Sequence, residues 1–299
     1  MSKRILKMAE TSELDSLKIT VLAEDSVLYE SPYLGQHGVS FLLEGTKDSN
    51  IRRILVDVGQ NSPALLSNMR IMNISPSAID AIVLTHCHYD HTKGVVNMLR
   101  EIGKRDVRVI AHPDIFRPNF VINTYFKYVG IMPDDSKENI EKAAGRLLLT
   151  RDPLVIMPGI MTTGEVKRQT EFEEVGIKLK TIENGRIKDD QMLDDISVVA
   201  NVKEKGLVIV TGCSHAGIVN IVKQAIELTG CEKIGAIIGG LHLVDAPETR
   251  IKRTVDELAK LNISWICAGH CTGFKAQVEF YLTFKERFSP LHTGMQFEI

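Results

Sequence analysis

Residues 82–94 read Ile-Val-Leu-Thr-His-Cys-His-Tyr-Asp-His-Thr-Lys-Gly, so three histidines and an aspartate occur within six positions directly after an apolar run. In an extended segment, side chains two positions apart point to the same side, and His86 and His88 can therefore bind one ion together. Asp90 and His91 follow where the chain turns, and they face elsewhere. A lone histidine is more often a core or surface residue, but these ligand types at this spacing predict a metal site.

The composition is that of a soluble globular protein, with 299 residues, 44% hydrophobic and 25% charged. The net charge of -2 disfavours a protein that mainly neutralises nucleic-acid phosphates, so we expect a small-molecule substrate and no nucleic-acid partner. No apolar run approaches the roughly 20 residues that span a bilayer, which predicts a cytoplasmic protein without membrane contact. Five cysteines favour reduced thiols over a disulfide framework, and the sequence leaves homo-oligomerisation open.

The pattern along the chain predicts a single domain over residues 1–299, with a flexible or accessory N-terminus at 1–16. Strand patterns come first and are followed by alternating strands and helices. Residues 113–150 are interpreted as an irregular, partly helical insertion that is rich in aromatic side chains, among them Phe126. These aromatics could form a lid that stacks on a flat substrate ring, or they could pack the insertion onto the body of the protein.

Three more apolar strands end in a histidine, as the strand before His86 does. His215 follows the run at 207–211, His242 the run at 234–240 and His270 the run at 265–269. Four strands that end in this way are a second, independent indication of a histidine-rich site.

The His-x-His-x-Asp-His motif at 86–91 resembles that of the metallo-β-lactamase superfamily. Within it, the chain from about residue 18 is similar to the subfamily named for 7,8-dihydropterin-6-methyl-4-(β-D-ribofuranosyl)aminobenzene-5'-phosphate synthase. The resemblance implies an α/β fold, a four-layer αββα sandwich of two mixed β-sheets with helices on both outer faces and metals at one end. The matching segments are spread along the chain in order, at residues 36–40, 57–60, 86–91, 163–166, 211–217, 239–243 and 269–273.

The resemblance also implies two divalent metal ions, zinc first, with manganese or iron as alternatives. Carried over to this chain, the first ion would bind His86 and His88, and the second would bind Asp90 and His91, completed by His270.

The sequence departs from the superfamily pattern at two ligand positions. The Pro-Gly-His type turn has no histidine at 158–160, and Cys213 stands where an aspartate usually bridges the metals. We infer that His215 is the third ligand of the first ion. Cys213 is either a bridging or neighbouring ligand, or a small buried residue that fills tight space.

Four further residues have open roles. His242 could be a ligand, a general acid that also contacts substrate, or a core histidine bonded to a carbonyl. Asp57 could fix the tautomer of a ligand imidazole or cap a turn. His37 is expected at the rim of the substrate site or in a structural role, and Lys93 could attract an anion in the pocket or point to water.

The main functional prediction is a metal-dependent hydrolase of a small, phosphorylated or anionic substrate. In it, a metal-bound water with a pKa of about 7 supplies hydroxide, and Asp90 orients the nucleophile. The alternative, implied by the subfamily, is a synthase that joins a pterin diphosphate to an aminobenzene riboside phosphate. A nuclease is disfavoured by the acidic charge, a di-iron reductase by His88 at a position where glutamate is usual, and an inactive binding protein by the retained ligands.

Overall fold

Two mixed β-sheets dominate the computed structural model, which describes residues 12–123, 125–175 and 178–299. Within these residues, the first sheet has the spatial order β18 (Gln296–Glu298), β1 (Ser16–Ala23), β2 (Ser40–Lys47), β3 (Asn50–Val56), β4 (Ala81–Val83), β5 (Val107–Ala111), β8 (Gly145–Leu149). The second has the order β17 (Phe288–Pro290), β16 (Ile266–Gly269), β15 (Ile234–Gly240), β14 (Gly206–Thr211), β13 (Val198–Val202), β10 (Ile160–Thr162), β9 (Val155–Met157).

Helices cover the outward faces of both sheets. The helices of the first half are α1 (Ser62–Ile71), the short α2 (Tyr89–Thr92), α3 (Val95–Ile102) and α4 (Lys137–Lys142). Those of the second half are α5 (Ile218–Thr229), α6 (Glu248–Ala259) and α7 (Phe274–Phe284). None of the helices in the described ranges is long and apolar enough to cross a membrane.

Three apolar clusters separate these four layers. Strand alternation sends Phe41 into the cluster between the two sheets and the next residue, Leu42, into the cluster under the helices of the first half. Leu65 of α1 and Met98 of α3 belong to the cluster under the helices of the first half. The third lies under the helices of the second half and includes Phe280 of α7. The expected αββα sandwich is therefore confirmed.

Strand direction places the histidine loops at one end of the sandwich. Strands β3, β4, β5 and β8 run parallel, as do β14, β15, β16 and β17. The carboxyl ends of parallel strands meet at one edge of a sheet, and loops at that edge commonly form the binding site. The segments after β4, β14, β15 and β16 carry the histidines found in the sequence.

The region 113–150 is more regular than predicted. It contains β6 (Phe120–Ile122), β7 (Phe126–Tyr128) and α4, and it ends in β8, which is an edge strand of the first sheet. With β11 (Leu179–Glu183) and β12 (Arg186–Asp189), strands β6 and β7 form a small antiparallel sheet in the order β12-β11-β6-β7. The insertion is partly helical, as predicted, but it is less irregular than expected, because its strands pair with residues some 60 positions further on.

The N-terminal prediction lies partly outside the described residues, which begin at residue 12. Leu14 is fully buried, its amide donates to the carbonyl oxygen of Asn201 across 2.7 Å, and β1 begins at Ser16. Residues 14–16 of the predicted accessory segment therefore belong to the folded body, because an apolar side chain and backbone pairing hold the chain there, and residues 1–11 lie outside the described residues.

Candidate metal centre

Seven of the nine histidines in the chain come together where the parallel strands end. These are His37, His86, His88, His91, His215, His242 and His270. His112 and His292 lie elsewhere. The structure thus brings together the ligand residues that the sequence predicts and adds His37 to them.

One group of ring nitrogens is formed by His86, His88 and His215. The His86 Nε2 and His88 Nδ1 atoms are 3.2 Å apart, and the ring centroids of His86 and His88 each lie 4.8 Å from that of His215. Two nitrogen ligands of a tetrahedral zinc are about 3.4 Å apart, so this spacing suits a shared cation.

The second group is centred on Asp90, which lies in the first turn of α2. Its Oδ2 atom is 3.3 Å from His91 Nε2, 3.3 Å from His270 Nε2 and 3.5 Å from His37 Nε2. The His86 and His91 rings are 4.1 Å apart between centroids, so the two groups are contiguous.

Cys213 lies between the groups. Its Sγ atom is 3.1 Å from His91 Nε2. The same sulfur lies within 4.8 Å of possible ligand atoms on six residues, namely His86, His91, His215, His242, His270 and Cys271. The residue is 3% exposed. A bridging or neighbouring ligand would lie at such a position, and a small buried packing residue would be enclosed in the same way, so both roles that the sequence allows fit this geometry.

Asp57 orients imidazoles in both groups. Its Oδ2 atom accepts hydrogen bonds from His91 Nδ1 and Thr85 Oγ1, each across 2.7 Å, and Thr85 Oγ1 is 3.0 Å from His86 Nδ1. These contacts leave the Nε2 atoms of His86 and His91 free for a ligand. The absence of a side chain at Gly212 leaves room for the Thr85 hydroxyl, because a Cβ atom at position 212 would lie 2.2 Å from Thr85 Oγ1.

Asp25 has the same relation to His270 and His37. Its Oδ2 atom is 2.5 Å from His270 Nδ1, and its Oδ1 atom is 2.9 Å from His37 Nδ1. Burial alone would raise the pKa of the Asp25 carboxyl, but the hydrogen bonds from these two rings hold it well below its usual range. A stable carboxylate therefore points both Nε2 atoms toward Asp90.

Burial sets the protonation of the first group. It lowers the pKa of His88 to about 4 and holds those of His86 and His215 well below their usual value, so all three rings are neutral at pH 7. Burial also disfavours the charged form of His91, but Asp90 and Asp57 outweigh it and raise its pKa to about 9.

The donor set fits a metal ion. Both ring nitrogens of His215 are buried without a hydrogen-bond partner among the described residues, and so are both nitrogens of His242. A buried polar atom without a partner is costly, and a bound cation would satisfy it. His242 is therefore not bonded to a carbonyl within the described part of the chain, which leaves the ligand and general-acid roles.

The backbone is strained around these loops. The residues Asp57, Ser214, His242 and His270 have φ values of 58°, 62°, 43° and 50°. Non-glycine residues seldom occupy this left-handed region, and such strain is concentrated at functional sites.

A pocket of about 450 Å³ opens onto the centre. His88, Asp90, Cys213, His242 and His270 line its inner end. Toward the mouth its lining is mostly apolar and aromatic, with one asparagine and one lysine, namely Tyr89, Val121, Asn123, Tyr125, Lys127, Val129, Leu179 and Val244. This volume is suited to a small organic molecule.

Two residues predicted for substrate contact do not line this pocket. Lys93 is exposed and borders a separate groove with Asn61 and Arg100, because it lies beyond α2 on the other side of the loop. Phe126 is 63% exposed and its ring lies 5.2 Å from that of Phe120, on the face of the small sheet that does not line the pocket. For each residue the structure therefore matches the second of the two alternatives that the sequence allows: Lys93 points to water, and Phe126 packs within the insertion.

Sequence reasoning missed several polar residues around the histidines. Asn119 contacts His88, Asp25 joins His37 to His270, and the carboxylate of Asp195 accepts the Ala216 amide across 2.7 Å beside His215. None of them belongs to a recognisable motif, so the sequence carries no signal for them.

Comparisons with known proteins identify the family of this chain. A model of the β-lactamase superfamily domain matches residues 52–127. The 7,8-dihydropterin-6-methyl-4-(β-D-ribofuranosyl)-aminobenzene-5'-phosphate synthase of Methanocaldococcus jannaschii is 45% identical over 285 residues, which cover 94% of this chain and 96% of that protein. An uncharacterized protein of the same organism is 36% identical over 255 residues, covering 84% of this chain and 90% of that protein.

Among solved structures, Tm1679, a metal-dependent hydrolase of the β-lactamase superfamily, superposes with a TM-score of 0.78. The match covers 95% of this chain and 99% of that chain, at 24% sequence identity. At this identity the likeness supports the fold alone.

Proposed function

This chain is an enzyme of the metallo-β-lactamase superfamily and belongs to the family of the Methanocaldococcus jannaschii synthase, and we propose that it joins a dihydropterin diphosphate to an aminobenzene riboside phosphate. The observation that carries the proposal is the 45% identity, which extends over nearly the whole of both chains. The hydrolase prediction has support only from the fold, so the synthase alternative replaces it as the favoured function.

The proposed reaction forms one bond and breaks another. The aromatic amine nitrogen bonds to the methylene carbon attached to the pterin, while the bond from that carbon to the diphosphate oxygen breaks. The diphosphate leaves with the electron pair, and the nitrogen loses a proton. A bound divalent cation would supply charge neutralisation for the leaving diphosphate.

The residues that would hold such cations are those of the two groups described above. We assign His86, His88 and His215 to one ion and Asp90, His91 and His270 to the other, with Cys213 between them. His37 is a further candidate for the second ion, because its Nε2 atom is 3.5 Å from Asp90 Oδ2. The mixture of nitrogen, oxygen and sulfur donors favours zinc, with iron or manganese as alternatives.

His242 is our candidate for the proton acceptor. It lines the pocket beside the metal groups, its ring centroid is 4.0 Å from that of His215, and its ring nitrogens have no partner among the described residues. A neutral imidazole within reach of the amine can accept its proton. The apolar mouth residues Val121, Val129 and Leu179 would exclude water, which competes with the amine for the methylene carbon.

A direct test offers the purified, metal-loaded protein two kinds of substrate. One is dihydropterin diphosphate together with 4-(β-D-ribofuranosyl)aminobenzene 5'-phosphate, and the other is a panel of phosphodiesters. We expect the coupled product, identified by mass spectrometry, and its loss in His86→Ala. Hydrolysis of a phosphodiester without any coupled product would restore the hydrolase prediction.

A further inference from the structure

Lys127 differs from the other lysines of its sheet because it has no carboxylate partner. Lys180 Nζ on β11 is 2.6 Å from Asp189 Oδ1, and Lys188 on β12 forms an ion pair with Glu183. Within residues 12–123, 125–175 and 178–299, no carboxylate lies within ion-pair distance of Lys127. The contact found for its ammonium is with the face of Tyr89, at 5.6 Å from the ring centroid.

The strand register turns Lys127 toward the pocket. Leu179 on β11 is paired with Val121 on β6, and Val121 is paired with Lys127 on β7. Residues opposite one another in antiparallel strands lie on the same face of a sheet, and all three line the pocket. The row across the sheet therefore consists of two apolar side chains, Leu179 and Val121, followed by the ammonium group of Lys127 on the edge strand.

Two aromatic side chains beside this row also line the pocket. Tyr125 lies at the mouth, and Tyr89 contacts the Lys127 ammonium with its ring and is the chain neighbour of His88 and Asp90. A flat ring can lie against Leu179, Val121 and the tyrosines with one end near the metal groups. An anionic group on the other end of such a molecule would then lie at Lys127.

We propose that Lys127 and the pocket face of the small sheet form a phosphate subsite at the mouth, which holds the ribose 5'-phosphate of the aminobenzene substrate. This proposal rests on the proposed function, which supplies a substrate with a phosphate at the end remote from the reacting amine. The diphosphate of the pterin substrate would be bound at the metal groups, so the two anionic groups occupy opposite ends of the pocket.

The test is a binding experiment that needs no turnover. Protein fluorescence is used to titrate 4-(β-D-ribofuranosyl)aminobenzene 5'-phosphate and the same compound without phosphate. The variants are Lys127→Gln, which removes the charge, Lys127→Arg, which keeps it, and Lys180→Gln as a matched control on the neighbouring strand. A charge-assisted contact at a partly exposed site is worth about tenfold in affinity and weakens with salt.

We expect Lys127→Gln to weaken binding of the phosphorylated compound about tenfold and to leave the other compound unchanged. Lys127→Arg and Lys180→Gln should retain the preference for phosphate. Equal binding of the two compounds by the native protein, or a preference that survives in Lys127→Gln, would overturn the subsite. If the preference for the phosphorylated compound is lost in Lys127→Gln but the native protein forms no coupled product, the subsite stands and the proposed function fails.

Discussion

The amide of Asn119 determines which nitrogen of His88 carries the proton. Its Nδ2 atom donates to Asp190 Oδ2 across 2.7 Å, so its oxygen is the atom that faces His88 Nε2 at 3.1 Å. An amide oxygen can only accept, and His88 Nε2 must therefore donate. The lone pair of the His88 ring is then on Nδ1, the atom 3.2 Å from His86 Nε2. Asn119, which precedes β6 of the small sheet, thus fixes the tautomer in which His88 can bind a metal through Nδ1.

Replacing Asn119 should weaken metal binding without unfolding the protein. In Asn119→Leu the His88 ring loses the acceptor that fixes its tautomer and orientation, and loss of such a partner typically costs 10- to 100-fold in metal affinity. Competition with a chromophoric chelator measures the affinity, and far-UV circular dichroism monitors the fold. The matched control is Asn97→Ala at an exposed position on α3. An unchanged metal affinity in Asn119→Leu would show that the hydrogen bond between Asn119 and His88 does not control metal binding.

Cys213 should bind the metal through its thiolate. In protein loaded with cobalt(II), a thiolate ligand gives a charge-transfer absorption in the near ultraviolet, and we expect this band in the native protein. Cys213→Ser should abolish it, because Cys213 Sγ is 3.1 Å from His91 Nε2. Cys267→Ser is the matched control, since that buried thiol lies 3.8 Å from the carbonyl oxygen of Pro290, away from the histidines. Persistence of the band in Cys213→Ser, and its loss in Cys271→Ser, would assign the thiolate ligand to Cys271 and leave Cys213 a packing residue.

Gly38 should tolerate no side chain. It has a φ of 102°, and a Cβ atom there would lie 1.8 Å from the Asp90 carbonyl oxygen, so Gly38→Ala must displace the loop that carries Asp90. We expect a loss of more than about 3 kcal/mol in the free energy of unfolding, together with loss of metal.

Gly185→Ala separates the steric effect from backbone strain. Gly185 also has a positive φ, 73°, but no atom of the described part of the chain lies within 4 Å of its added Cβ. The cost there should be only about 1 kcal/mol, with metal content unchanged. Urea unfolding and metal analysis measure both quantities, and similar losses in the two variants would contradict the role given to the Asp90 contact.

The pH dependence of stability should change when Asp195 is replaced. Burial raises the pKa of its carboxyl to about 7 in the folded, metal-free protein. The folded state therefore binds this proton more tightly than the unfolded state. The protonated Asp195 carboxyl contributes to the free energy of unfolding below about pH 4, and this contribution is lost as the pH rises through 7. Asparagine does not titrate and can still accept from the Ala216 amide.

With metal removed by a chelator, Asp195→Asn should become steadily more stable relative to the native protein between about pH 4 and 7. The difference should grow by up to about 1.4 kcal/mol per pH unit and level off above pH 7. Urea midpoints across this range provide the measurement, with the exposed Asp256→Asn as control. A difference that does not vary with pH would show that Asp195 titrates as it does in the unfolded chain.

The sequence predicted the parts of the site that are local in the chain. Strand patterns followed by histidine loops gave the positions of His86, His215 and His270, because the strand period and the ligand spacing are both short-range properties. His37 and Asn119 could not be placed in the same way, since their contacts depend on loops folding back from distant positions. The sequence named Lys93 as a lysine that could face the pocket, whereas Lys127 is the lysine that lines it. Which face of β7 lines the pocket becomes clear only when β6, β7 and β11 are paired, and that pairing turns Lys127 inward and Phe126 away.

The central claim is that this centre couples two substrates rather than hydrolysing one, and release of diphosphate tests it most directly. The metal-loaded protein is incubated with dihydropterin diphosphate, with and without 4-(β-D-ribofuranosyl)aminobenzene 5'-phosphate, and free diphosphate is measured over time. We predict that release requires the amine, matches the coupled product one for one, stops on chelation and returns when metal is restored. Release at the same rate without the amine would contradict the account and identify the protein as a hydrolase.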